Sequence, residues 1–180
     1  MPLPVKGYPG YVDLKGQGQV FYWLFPRMDK VPIKNSKLSS ENPLLIHIPG
    51  GPGVSITDII FEASGPFTFK HVNKVGINRY SWSKLANVLY IDWPLGTGFS
   101  TVNKKWSYPR KPIMEAESLV EVIWNIVQKF PALRKSNAYI VAPSFIGLYG
   151  PAMTMLMFNN SKKLDLTIKG LVLLSPKMDA

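Results

Sequence analysis

Apolar positions along this chain follow two rhythms. The first is that of two β-rich runs, Gly10-Tyr11-Val12-Asp13-Leu14-Lys15 and Gln19-Val20-Phe21-Tyr22-Trp23-Leu24-Phe25. Gly16-Gln17-Gly18 lies between the two runs, so the pattern predicts an N-terminal β-hairpin. A polar linker, residues 35–42, gives way to Pro43-Leu44-Leu45-Ile46-His47-Ile48, which is apolar on both faces as a central strand of a covered sheet must be. That run stops at Pro49-Gly50-Gly51-Pro52-Gly53, a tight loop. A second buried-type strand, Val88-Leu89-Tyr90-Ile91-Asp92, breaks at Pro94 and Gly96.

The second rhythm has the helical period. It opens at Pro112 and runs to about Phe130, with Ile113, Ala116, Leu119, Val120, Ile123, Trp124, Val127 and Phe130 recurring on one face. Glu115, Glu117 and Glu121 come early and Lys129 late, which complements the helix dipole, and Pro131 ends the run. A strand at Ala138 to Ala142, a sharp turn at Ser144, a helix from Leu148 to Phe158 and a strand from Ile168 to Leu174 follow. Strand, helix, strand, helix, strand predicts an α/β fold with a mostly parallel sheet, right-handed crossovers and flanking helices.

Composition narrows the picture. At 180 residues the chain reads as one domain with a full core. The longest apolar run, Leu171-Val172-Leu173-Leu174, is too short to span a bilayer. No apolar signal core follows Met1, so no route to export is visible. Cysteine is absent, which excludes disulfides and thiol chemistry. The triplet Asn159-Asn160-Ser161 would accept a glycan only in a secreted chain, and otherwise reads as a solvated loop after a helix.

A net charge of +10 could attract polyanions, but the basic residues are spread along the chain. Residues Lys104 to Lys111 mix aromatic and basic side chains as a single-strand-binding groove would; no nucleic-acid module accompanies them, and no nucleic-acid partner is expected. No cluster of ligands has metal spacing, and Gly50-Gly51-Pro52-Gly53 lacks the Lys and Ser or Thr of a phosphate loop. Neither metal nor cofactor is expected.

The candidate chemistry sits at Ser144. Tyr139-Ile140-Val141-Ala142-Pro143-Ser144-Phe145-Ile146-Gly147 reads as a buried strand that delivers a serine into a sharp turn, the layout of a nucleophile elbow. A serine attacks only when a base takes its proton, and the oxyanion that forms needs backbone N–H donors. Phe145 N–H and Gly51 N–H are the candidates. Taken alone, the same motif also fits a serine capping an ordinary strand-to-helix turn.

Longer strings then point to a family. Residues 42–53, Phe61-Glu62-Ala63-Ser64-Gly65-Pro66, residues 78–89 and Asp92-Trp93-Pro94-Leu95-Gly96-Thr97-Gly98-Phe99-Ser100 resemble the serine carboxypeptidases in order and spacing, from about Tyr8 to the end of the chain. The resemblance implies an incomplete α/β-hydrolase fold with an N-terminal hairpin, here the N-terminal half of such a domain. It implies removal of C-terminal residues from peptides at acidic pH by a Ser, Asp, His triad in that order. On it, Ser144 is the nucleophile, Gly51 and Phe145 are the oxyanion donors, and Glu62 is one acid of the pair that recognises the substrate's terminal carboxylate. Family members are usually lysosomal, vacuolar or secreted.

The departures bear on activity. Pro49 stands where the family has Asn and Pro143 where it has Glu, so Glu62 loses its usual partners and could serve only to hydrogen-bond its loop. Ile146 replaces a small residue and is expected to crowd the turn, and Val54 replaces a cysteine. The two histidines offer no base: His47 reads as a satisfied core residue and His71 as a solvated loop residue. The expectation is therefore a truncated carboxypeptidase-like chain, inactive alone, whose Asp and His come from a complementing C-terminal half. The alternative is a non-catalytic hydrolase-fold scaffold whose basic surface meets an acidic partner. Half a sheet exposes an edge, so the isolated chain is expected to dimerise or aggregate.

Overall fold

The computed structural model describes residues 5–28, 36–71, 74–103 and 112–178. The basic and aromatic segment from Lys104 to Lys111 lies outside them.

The hairpin forms as predicted, from β1 (Tyr8–Leu14) and β2 (Gly18–Phe25), antiparallel and in register from Tyr8 opposite Leu24 to Leu14 opposite Gly18. The central apolar runs become β3 (Leu44–His47) and, after a short helix α1 (Ile56–Glu62) and a hairpin of β4 (Phe67–His71) and β5 (Lys74–Ile77), β6 (Asn87–Ile91). A two-residue β7 (Thr101–Val102) pairs with β2. Then come α2 (Pro112–Lys129), β8 (Asn137–Pro143), α3 (Gly150–Asn159), α4 (Ser161–Leu164) and β9 (Thr167–Leu174). The sheet order is β1-β2-β6-β3-β8-β9. The hairpin joins antiparallel through β2 and β6, and the remaining pairs β6–β3, β3–β8 and β8–β9 are parallel.

Alternation along β2 sorts the two faces. Val20, Tyr22 and Leu24 join a large core with Ala116, Leu119, Val122, Ile123, Ile126 and Val127 of α2 and with Met153 and Met157 of α3. Phe25, Val88 and Tyr90 face a smaller core with Ile56 and Ile60 of α1 and Phe67 of β4. The buried stripe of α2 is rotated from the expected one: Val122 and Ile126 are inside, Val120 and Trp124 are half-buried, and Ile113 is exposed. Each fully buried aliphatic side chain contributes roughly 2 kcal/mol by removal from water, so the rotated stripe is the one that satisfies the sheet.

Sequence reasoning passed over α1, the β4–β5 hairpin, β7 and α4, all short elements whose periodicity spans too few residues to register. The Asn159 to Ser161 triplet is a junction between α3 and α4 rather than a loop, with Asn160 Nδ2 donating to the Leu156 carbonyl at 2.8 Å. His71 is exposed as expected but ends β4. Among the described residues no helix is long and apolar enough to cross a membrane.

Candidate active site

Three neighbouring parallel strands, β6, β3 and β8, end on the same side of the sheet, and the candidate chemistry lies in the loops that follow them. After β8 the chain turns at Ser144, whose φ of +49° is left-handed backbone that an L-residue adopts at a cost. A 3₁₀ turn over Ser144–Leu148 then leads into α3. The expected helix from Leu148 thus begins as 3₁₀ at Ser144, with the α-helix proper starting at Gly150. Ser144 is exposed, and its hydroxyl has no hydrogen-bond partner among the described residues. Around it, Ala142, Ile146 and Gly147 are buried, and Pro143 and Phe145 are half-buried.

The loop after β3 presses directly on this turn. Ile48 N–H donates to the Val141 carbonyl at 3.3 Å, which carries the β3–β8 ladder one residue past the strand. A Cβ on Gly50 would sit 2.9 Å from Ser144 Cβ and 3.1 Å from the Pro143 carbonyl oxygen, so only glycine fits there. Gly51 follows, exposed, with φ +125°. The structure therefore brings Pro143 and Ser144 against Gly50.

Among the described residues it gives Glu62 no hydrogen bond or ion pair with them. Glu62 is exposed at the end of α1 and makes no hydrogen bond or ion pair among the described residues. The loop after it is pinned instead by Asn78, whose Nδ2 donates to the carbonyls of Ala63 and Gly65, each at 2.9 Å. The alternative role for Glu62, a hydrogen bond to its own loop, is not seen among the described residues.

Ile146 is not the obstruction expected of it. Its side chain is buried in the large core with Ala142 and Met153. His47 is buried, but it is not satisfied. Nδ1 has no hydrogen-bond partner, and the ring lies between Tyr90 and Trp82, with centroids 5.4 and 5.6 Å away. Burial in this aromatic setting lowers its pKa from 6.5 to about 4. It faces the α1 side of β3 and cannot act as a base for Ser144.

Sequence reasoning missed Asp92, which organises the site from below. Its carboxylate accepts from Ile56 N–H at 2.7 Å, Phe99 N–H at 2.8 Å and Ser55 Oγ at 3.2 Å. It thereby ties the loop after β6 to the start of α1 and hence to the loop after β3. Burial raises its pKa, and these three donors oppose the rise. The available signal was a lone acid closing a strand whose other residues are all buried. Glu115, beside Trp93 and Tyr149 at the start of α2, is also raised by burial.

The site is open. A cavity of about 350 Å³ lies between α2 and the α3–α4 segment and one of about 480 Å³ between α3 and β9, and neither is lined by Ser144, Phe145 or Gly51.

The serine carboxypeptidase family model matches residues 1–180. The chain belongs to the serine carboxypeptidase family. Vitellogenic carboxypeptidase of Aedes aegypti is 32% identical over 94% of this chain and 35% of its own length. Serine carboxypeptidase-like 35 of Arabidopsis thaliana is 33% identical over 96% of this chain and 36% of its own. The chain thus spans about a third of the length of these relatives. Among solved structures, the prohormone-processing carboxypeptidase Kex1(delta)p of Saccharomyces cerevisiae superposes on 96% of the chain with a TM-score of 0.79 at 24% identity, covering 39% of that protein. Peroxisomal α/β-hydrolase Lpx1 of the same yeast gives a TM-score of 0.50 at 12% identity. The α/β-hydrolase fold read from the serine carboxypeptidase resemblance is the fold observed, a mixed sheet with flanking helices.

Proposed function

We propose that this chain is the nucleophile-bearing N-terminal part of a serine-type carboxypeptidase that releases C-terminal residues from peptides. Ser144 is its nucleophile, the N–H groups of Gly51 and Phe145 are its oxyanion donors, and Glu62 contacts the substrate carboxylate. The observation that carries the reading is the left-handed serine at the strand end, seated on a glycine that no other residue could replace. The acid and the base come from a complementing segment, and the chain alone is inactive, since a serine without its base keeps only residual oxyanion-hole effects.

A second reading, a non-catalytic scaffold whose basic surface binds an acidic partner, draws support from the net charge of +10 and from the burial of His47 away from Ser144.

Labelling with a fluorophosphonate separates the two. On the first reading, the chain combined with a segment carrying the missing Asp and His is labelled at Ser144, and Ser144→Ala abolishes the label. A well-folded combination that resists labelling favours the scaffold. Light scattering tests the incomplete sheet. Exposed Val172 and Leu174 on β9, with Met155 and Phe158 on α3, should make the isolated chain dimerise or aggregate, whereas a monodisperse monomer argues for a complete, repurposed domain.

A further inference from the structure

The strands β8 and β9 end in register, with Pro143 opposite Leu174. Ser144 and Ser175 therefore leave the sheet side by side, and both are left-handed, with φ of +49° and +44°. That conformation alone assigns no role. Lys135 and Asp165 adopt it too, at the opposite ends of the same two strands, where Lys135 N–H donates to the Asp165 carbonyl at 2.6 Å and closes a connection. The serine pair differs in what the departing chain touches next. Beyond Ser175 the backbone folds over the turn that follows Ser144. Lys177 N–H donates to the Ser144 carbonyl at 2.8 Å. A Cβ on Gly147 would lie 2.5 Å from Pro176 Cβ and 2.8 Å from the Lys177 carbonyl oxygen. Residues 175–177 thus grip the elbow at two points, one on each side of Phe145.

A left-handed serine relaxes toward ordinary backbone unless its surroundings hold it. Gly50 holds Ser144 from the β3 side by close approach, and the Lys177 hydrogen bond holds it from the β9 side. We propose that the Ser175-Pro176-Lys177 turn is a positioning clamp that fixes Ser144 in its left-handed conformation. Lys177 acts through its backbone N–H, and the left-handed backbone of Ser175 aims that group. The chemical consequence, control of Ser144 reactivity, rests on the nucleophile reading above; the conformational consequence does not.

Two readouts keep these apart. The first is the backbone conformation of Ser144, from its ¹³C shifts and its amide coupling constant. The second is the rate at which a fluorophosphonate labels Ser144 in the chain combined with a segment carrying the Asp and His, followed by intact mass. Lys177→Pro removes the donor. It should abolish the left-handed signature and slow labelling by about 100-fold, the effect of a small misplacement of a reacting group, with little change in Tm. Lys177→Ala keeps the N–H and should rescue both readouts. Ser175→Gly, permissive at positive φ, should preserve the signature, and β-branched Ser175→Val should lose it.

A left-handed Ser144 in Lys177→Pro overturns the clamp. If that variant does not fold, amide exchange in the unaltered chain decides: a protected Lys177 amide supports the clamp, and exchange at the rate of an unstructured peptide overturns it. An unaltered chain that is never labelled even when combined with a segment carrying the Asp and His, but whose Ser144 signature still depends on Lys177, defeats the nucleophile reading and leaves the clamp standing.

Discussion

The loop after β6 and the turn after β8 leave the same end of the sheet, on either side of β3, and they treat polar groups in opposite ways. Asp92 closes β6 with a carboxylate that receives three hydrogen bonds and is wholly buried. Even the hydroxyl of nearby Ser100 is used twice, donating to the Asp92 carbonyl and accepting from Phe21 N–H, both at 2.8 Å. Ser144 closes β8 with a strained backbone and a hydroxyl that touches nothing polar among the described residues. The first arrangement builds stability; the second spends it on presenting one atom. A polar group that is fully satisfied inside a loop is framework, and one held open at a conformational cost is the better candidate for chemistry.

The sharpest way to break the comparison is to remove the framework acid. Asp92→Ala leaves the N–H groups of Ile56 and Phe99 without their acceptor and should cost about 3 kcal/mol. For a chain of this size that lowers Tm by roughly 6–12 °C in a thermal melt. A loss below about 1 kcal/mol would mean that the loops hold without it.

Next in size is the effect of acid. His47 is neutral in the fold with a pKa of about 4, against 6.5 when unfolded. Its contribution is therefore complete above pH 6.5 and is lost as pH falls toward 4, because the unfolded chain binds the proton more readily. Melts at pH 7 and pH 5 should differ by about 2 kcal/mol from this residue. His47→Phe should remove that part of the difference while keeping the contacts with Tyr90 and Trp82.

The smallest effects fall on the strained side. Ser144→Gly should stabilise the chain by about 1 kcal/mol, because glycine occupies left-handed backbone without penalty. Ser144→Ala should lie within about 0.5 kcal/mol of the parent, since the hydroxyl has no partner to lose. Paired melts of the two variants distinguish backbone strain from side-chain contacts.

How much of this could be read from residues alone divides along the same line. The hairpin, the central strands, the long helix and the turn at Ser144 all announce themselves through β-rich runs, helical period, proline and glycine. So does the place of Ser144, because a buried-type strand running into a short turn has few solutions. What local pattern could not show was held by distant partners. Asp92 is just another acid until Ser55, Ile56 and Phe99 meet it. Ile146 looks obstructive until the large core is seen to receive it, and nothing in the local pattern shows that Asn78 holds the loop after Glu62. The rotation of the α2 stripe to Val122 and Ile126 likewise depends on where the sheet lies.

The short strand β3 carries one more implication. Both of its neighbours come later in the chain: Leu44 pairs with Asn87 on one side and with Ala138 on the other. During synthesis its apolar edges must wait, first for β6 and then for β8, before either is covered. Folding of this chain should be slow for its size and dependent on chaperones that shield Leu44 to Ile48 as the ribosome releases the rest.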